Sequence, residues 1–261
     1  MNKTAVVTGA ASGFGYEFSK LLAEDSYDLV LVGNNGAGLQ KVKHELENRY
    51  GIDINVIEHD LSKPGSATTI YSLIKQYNTD VLINNAGFGF SGFFAATNWK
   101  YEEKMIHLHI VTLTHLTKLV LADMTARGSG RIMNVSSVAA FQAGPLMAVY
   151  YATKAYILLF SEALANEVKG TGVTVTVFCP GQTATNFQKT VAEYSNLKLS
   201  DTGMFMANPQ RIAKIGYKAM LAGKSVCVPG IINKLIVQMN RIMPRIATVS
   251  FVRIMQEKIR K

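Results

Sequence analysis

The chain has 261 residues, 48% apolar and 17% charged, with 21 Gly, 6 Pro and a mean hydropathy of +0.14. That balance excludes a disordered segment, and with no fixed glycine period, sustained heptad or biased tract it also excludes collagen-like, coiled-coil and low-complexity architectures. The net charge of +9 gathers at one end, where Lys234, Arg241, Arg245, Arg253, Lys258, Arg260 and Lys261 face Glu257 alone, a net +6; no nucleic-acid docking element accompanies them, so nucleic acid is not expected as a partner.

Short β-branched runs alternate with helical patterns along the chain. Thr4–Val7 precedes a helix over Phe14–Asp25, Asp28–Val32 precedes one over Ala37–Tyr50, and Ile54–Glu58 precedes one over Ser66–Gln76. Val81–Ile83 leads into a long helix from Trp99 to Ala126, Arg131–Val135 into one over Tyr150–Lys169, and Val173–Phe178 follows. A helix over Asn208–Ala222 precedes a last strand, Ser225–Val228. Strands separated by helices, apolar on both faces, predict an α/β fold: a single doubly wound, Rossmann-type parallel sheet with helices on both faces. Residues 1–230 form this domain, with an aperiodic loop at 182–208 expected to serve the substrate, and 231–261 form a basic, amphipathic helical appendage broken at Pro244.

Two cysteines, Cys179 and Cys227, are too few for a disulfide framework and point to a reducing compartment. Met1-Asn2-Lys3 runs straight into the first strand, leaving no room for a signal peptide, and no uninterrupted apolar run reaches about 18 residues. A cytoplasmic protein is expected, peripheral to a membrane if its tail docks there.

The first strand ends in Thr8-Gly9-Ala10-Ala11-Ser12-Gly13-Phe14-Gly15 and opens a helix. Glycines there permit a tight turn and let backbone amides at a helix N-terminus approach a pyrophosphate. The spacing is Thr-Gly-x-x-x-Gly-x-Gly rather than G-x-G-x-x-G. Further on stand Asn84-Asn85-Ala86-Gly87 after the fourth strand, Tyr150-x-x-x-Lys154, Pro180-Gly181 with Thr183 and Thr185, and Ser137, 13 residues before Tyr150. In this order and over residues 3 to 230, the chain resembles the classical short-chain dehydrogenases/reductases.

The resemblance implies an NAD(P)(H)-dependent oxidoreductase. It makes Tyr150 the acid/base, Lys154 its pKa tuner and a ribose ligand, and Ser137 the group that orients the substrate oxygen. It places the cofactor on Gly9, Ser12, Gly13, Phe14, Gly15, Asn34, Asp60, Leu61, Asn85, Ala86, Gly87, Pro180, Gly181, Thr183 and Thr185, as well as on Tyr150 and Lys154. The chemistry is consistent with these residue types: a carbonyl reduction needs a proton donor and a hydrogen bond to hold the oxygen, and a cation one turn away lowers a phenol's pKa. Tyr151 and Ser136, the neighbours, are the less favoured partners. The family's relay Asn in the long fourth helix is replaced by His109, a departure that leaves the relay role open between an imidazole substitute and a core histidine. His107, His109 and His115 form no metal set, since positions two apart fall on opposite helix faces.

At the end of the second strand, Asn34 and Asn35 supply neither the carboxylate that favours NAD(H) nor the cation that grips a 2′-phosphate. The segment is similar to NADP-type relatives, with Ser12, Lys41 or Lys43 lending contacts; NADP(H) is preferred and NAD(H) is the alternative. Phe88, Phe90, Phe93, Phe94, Phe141, Met147, Met204, Phe205 and Met206 crowd the loops after the strands, favouring a small hydrophobic ketone or secondary alcohol (steroid-, lipid- or xenobiotic-like) as substrate. Two other readings stand beside this one: a membrane-associated reductase of acyl or lipid carbonyls, and a non-catalytic dinucleotide sensor or scaffold. The tail's stripe of Leu235, Met239, Ile242, Ile246 and Val249 suits closure over the pocket, subunit pairing in a homodimer or homotetramer, or a membrane surface.

Overall fold

The computed structural model describes residues 2–184, 187–195 and 207–259. Seven parallel strands form one sheet: β1 (Thr4–Thr8), β2 (Asp28–Gly33), β3 (Ile54–Glu58), β4 (Val81–Asn84), β5 (Gly130–Val135), β6 (Val173–Phe178) and β7 (Val226–Cys227), in the order β3-β2-β1-β4-β5-β6-β7. The order reverses between β1 and β4, the switch point at which ligands bind beyond the strand C-termini in such sheets.

Successive side chains point to opposite faces, so each strand feeds two cores. Ala5, Val7, Leu29 and Leu31 pack with Phe18 and Leu22 of α1 (Gly13–Glu24), Leu39 of α2 (Gly36–Tyr50) and Ile212 of α8 (Pro209–Leu221). Val6, Val30, Val32 and Leu82 pack on the other side with Ile70 and Ile74 of α3 (Ser66–Ile74) and with Leu116, Val120 and Met124 of α5 (Leu113–Arg127). This double coverage is why the strands are apolar throughout.

A buried polar chain crosses the middle of the sheet. Asn84 Nδ2 donates to Thr117 Oγ1 and to Asn134 Oδ1, each at 2.9 Å, and Asn134 Nδ2 donates to Ser161 Oγ at 2.9 Å. Asn84 and Asn134 face each other in the β4–β5 register.

The structure revises the expected elements in two places. The long fourth helix is α4 (Trp99–Ile106) followed by a π-helical turn, His107–Thr112, and then α5. Within the loop expected at 182–208 lies a helix, α7 (Phe187–Ser195), whose signal in the sequence is the Phe187, Val191, Tyr194 spacing. The combined helix Trp99–Arg127 is long and apolar enough to cross a membrane by length and composition, although polar residues interrupt its apolar run. Here its apolar residues Leu116, Val120 and Met124 are buried against the sheet. The tail forms the two helices that Pro244 dictates, α9 (Ile231–Ile242) and α10 (Arg245–Ile259).

Candidate active site

The glycine turn after β1 is held by the Asn-Asn-Ala-Gly run after β4. Asn85 Nδ2 donates to the carbonyls of Thr8 (2.9 Å) and Gly9 (3.2 Å), and the amides of Asn85 and Ala86 donate to Thr8 Oγ1. Gly9 has φ +66, and a Cβ there would lie 2.8 Å from Ala86 Cα; a Cβ on Gly15 would lie 2.2 Å from the Gly9 carbonyl oxygen. Only glycine lets these two loops and α1 close together. Ser12, the exposed N-cap of α1, makes no side-chain cap bond, so the first amides of α1 face outward with the positive end of the helix. Phe14 contributes its backbone to this turn, while its ring packs against Phe178 at 5.3 Å.

Ser137 follows β5, and α6 (Ala148–Glu167) carries Tyr150 and Lys154. Ser136 Oγ donates to the Lys154 carbonyl at 2.7 Å and so pins α6 to the end of β5. That structural duty leaves Ser137 for the site, where its Oγ accepts from the Ala139 amide at 3.1 Å, lies 3.5 Å from the Pro180 carbonyl and pulls the pKa of the neighbouring Tyr150 down. Lys154 Nζ donates to the Val135 carbonyl at 3.0 Å and stands 5.8 Å from the centre of the Tyr150 ring. Tyr151 points elsewhere and accepts a hydrogen bond from Gln256 of α10 at 3.2 Å. Of the two adjacent tyrosines, Tyr150 is the one beside Lys154 and Phe187.

The expected lowering of the Tyr150 pKa is absent. Burial raises it, with the Ser137 hydrogen bond pulling the other way. The Lys154 ammonium is itself buried, which brings its pKa down to about 8, and it is directed at the Val135 carbonyl instead of at the phenol oxygen. Burial thus favours the protonated form of Tyr150.

His109 sits in the π turn, a helix irregularity found often at functional sites. Its ring is fully enclosed between two groups: Nδ1 lies 2.9 Å from Thr153 Oγ1, and Nε2 accepts from the Phe88 amide at 3.3 Å. Thr153 donates its own proton to the Tyr150 carbonyl at 2.8 Å, so it accepts from His109. These roles fix a neutral imidazole with the proton on Nδ1. Burial and the nearby Lys154 charge hold its pKa well below the usual 6.5. A Cβ on Gly87 would lie 2.8 Å from His109 Nε2 and 3.6 Å from Lys154 Nζ, so the last glycine of the Asn-Asn-Ala-Gly run keeps this corner open. Thr153 was not singled out by sequence reasoning, although its i+3 spacing from Tyr150 was the available signal.

An aromatic wall surrounds the phenol. Phe187 of α7 lies 5.4 Å from Tyr150, Phe88 packs edge-on against Tyr194 at 5.5 Å, and Tyr101 stacks between Tyr194 and Phe90. Met147 belongs to the same cluster, whereas Phe93 and Phe94 are exposed and Phe141 packs near β6. Thr183 is buried and donates to the Gly181 carbonyl at 3.0 Å. Thr185, Met204, Phe205 and Met206 lie outside the described residues.

At the adenosine end, Asn35 is occupied as the N-cap of α2, accepting from the Gly38 amide at 3.0 Å, while Asn34 is exposed. Lys43 is turned away, paired with Glu47 and donating to the Ile54 carbonyl, so it lends no charge there. Glu58 is a residue the sequence reading missed. It pairs with Gly33 at the sheet edge, and its carboxylate would lie 2.1 Å from a Cβ on Gly36, at the first turn of α2. Parallel register alone puts the ends of β2 and β3 side by side and was the signal for it. Asp60 accepts from the amide and hydroxyl of Ser62; burial raises its pKa, but these bonds and nearby Lys104 and Lys63 outweigh that and leave it lowered. Leu61 accepts from Thr112 at 2.8 Å, tying this loop to the π turn.

The sequence profile described as short chain dehydrogenase matches residues 3–196. The chain belongs to this oxidoreductase family. Among similar proteins, 17-beta-hydroxysteroid dehydrogenase type 3 of Mus musculus is 31% identical over 77% of the chain and 66% of its own length. Very-long-chain 3-oxoacyl-CoA reductase of Anas platyrhynchos is 34% identical over 71% of the chain and 61% of its own length. A solved structure from work on 7beta-hydroxysteroid dehydrogenase stereoselectivity superposes with a TM-score of 0.86 at 26% identity, covering 96% of each chain. A short-chain dehydrogenase from Sphingobium yanoikuyae in complex with NADPH gives 0.82 at 26% identity and 88% of each chain.

Proposed function

We propose that the protein interconverts a hydrophobic ketone and a secondary alcohol, with Tyr150 as acid/base, Ser137 as the hydrogen bond that orients the substrate oxygen, and Lys154 beneath the phenol. The convergence of these three side chains under an apolar, aromatic wall carries this reading. A nicotinamide dinucleotide supplies the hydride when bound. The turn of Gly9 to Gly15 with the outward amides of α1, the Asn85–Gly87 run and the Pro180–Thr183 segment suit its phosphates and nicotinamide half. In the reductive direction, Ser137 holds the carbonyl oxygen and Tyr150 donates its proton to it. The intact Ser137, Tyr150 and Lys154 speak against a non-catalytic sensor. The aromatic lining suits a steroid- or lipid-derived carbonyl better than a sugar. Depletion of NADPH and of NADH against a panel of steroid, fatty-acyl and short polar ketones tests the proposal. Turnover confined to the bulky apolar ketones is expected; turnover of polar ketones alone would overturn the substrate class.

We further propose that the absence of a carboxylate at Asn34 favours NADP(H), with Glu58 limiting that preference. A carboxylate near the adenosine ribose repels a 2′-phosphate. Asn34→Asp should therefore shift the NADP(H)/NAD(H) preference ratio toward NAD(H), and Glu58→Gln toward NADP(H). Each shift should be on the order of ten-fold, the scale of one partly screened charge at a few ångströms. Titration of both cofactors measures the ratio. An unchanged ratio in both variants would mean that neither residue faces the ribose.

A further inference from the structure

The polarity of α9 is reversed with respect to the body of the protein. At about 100° per residue, Ile231, Leu235, Met239 and Ile242 fall within one arc of roughly 80°. All four are exposed, Ile231 at 78% and Ile242 at 85%. The opposite side, turned to the protein, carries Asn233, Asn240 and the one buried apolar residue of the helix, Val237. Asn240 Nδ2 donates to Gln142 Oε1 at 2.8 Å, and Asn233 Nδ2 to the Pro229 carbonyl at 2.7 Å. A helix held by amides with its isoleucines outward is built for an apolar surface outside the chain. α10 continues the surface with Ile246, 83% exposed, and with Phe251 and Ile254.

The charge beside this face selects the occupant. Among the described residues, Glu257 is the one acid of the two helices and it pairs with Arg253, while Lys234, Arg241, Arg245 and Lys258 have no ion pair. Lys234 and Arg241 stand together on one flank of the apolar arc. A second copy docked through the same face about a two-fold axis would set a basic patch against its equal. An anionic lipid surface instead satisfies both parts, the isoleucines entering the acyl boundary and the cations meeting headgroups.

We propose that α9 and α10 dock the protein on an anionic membrane surface. The same helices border the active-site side: α9 packs on the turn after Ser137, and Gln256 of α10 bonds Tyr151. Docking therefore brings the turn after Ser137 and the start of α6 close to the lipid boundary, whatever reaction takes place there.

Co-sedimentation of the full chain with vesicles of phosphatidylcholine, with and without phosphatidylserine, tests this. Binding is expected to the anionic vesicles, to weaken with added salt, and to fall about five-fold in Arg241→Gln. The pair Leu235→Glu and Ile242→Glu should lose at least ten-fold, with unchanged thermal melting. If that pair melts early, the dependence of the wild type on phosphatidylserine and salt still decides. Equal binding of the wild type to both vesicle types, no binding to either, or undiminished binding by the double variant would overturn the proposal. So would a wild type that ignores vesicles and whose molar mass in light scattering halves on the double substitution, since a second copy would then cover the face.

Discussion

Tyr150→Phe is expected to lower turnover by roughly 10²- to 10⁴-fold, the range of a general acid–base group, while the affinity for the dinucleotide stays close to that of the wild type. The substitution removes one oxygen from a ring already packed against Phe187 and His109, so the wall keeps its shape and the loss falls on kcat. Tyr151→Phe is the paired control. It loses only the bond from Gln256 and should retain most of the activity, with any change appearing in KM as α10 loosens. Steady-state kinetics and cofactor fluorescence titration on both variants check this. A dead Tyr151→Phe beside an active Tyr150→Phe would move the proton donor one residue along α6.

The second large effect is expected at His109. If its neutral imidazole positions the Lys154 corner, His109→Leu should slow turnover by roughly 10²-fold, since it breaks the bonds to Phe88 and Thr153 together. His109→Asn, which can donate and accept, should restore most of the rate. The pH behaviour separates this positioning role from simple packing. Above the usual 6.5 the imidazole is neutral in both the folded and unfolded chain. As pH falls below that value the unfolded chain takes up a proton that the folded one resists, so stability declines; activity follows at lower pH, as the folded imidazole is protonated against the Lys154 charge. His109→Asn should lose this acid limb in both melting temperature and kcat. A His109→Leu enzyme with wild-type turnover and an unchanged pH profile would return His109 to the core.

The order of elements was legible, and Ser137, Tyr150 and Lys154 could be proposed as a site, because both rest on local signals. Strand runs such as Val173–Phe178 are apolar on both faces, and Ser137, Tyr150 and Lys154 sit at fixed spacings on elements whose ends are marked. The π turn was not legible: it adds one residue to a helix without disturbing the apolar character of His107–Thr112, so no period betrays it. Glu58 escaped because its place beside the first turn of α2 depends on which strand lies beside β2. The direction of the Tyr150 pKa shift was misjudged because spacing locates Lys154 one turn away but cannot show that its ammonium points at Val135, or how deeply both groups are buried. The spacing of the tail suggested an amphipathic stripe, yet which way the stripe of α9 faces required the positions of Gln142 and Pro229.

Two adjacent asparagines, Asn84 at the end of β4 and Asn85 just after it, divide their work. Asn85 builds the turn around Gly9, whereas Asn84 holds the amide chain to Thr117, Asn134 and Ser161 inside the sheet. That chain is satisfied only when β4 and β5 meet at Asn84 opposite Asn134. A slip of one residue would leave two buried amides without partners, at roughly 1–3 kcal/mol for each unmet group. Leucines there would pack as well but would accept the slipped pairing almost as readily. The asparagines therefore act as an assembly check on the central strands, rejecting wrong alignments while the chain is still folding, in a parallel sheet whose distant pairings are slow to form.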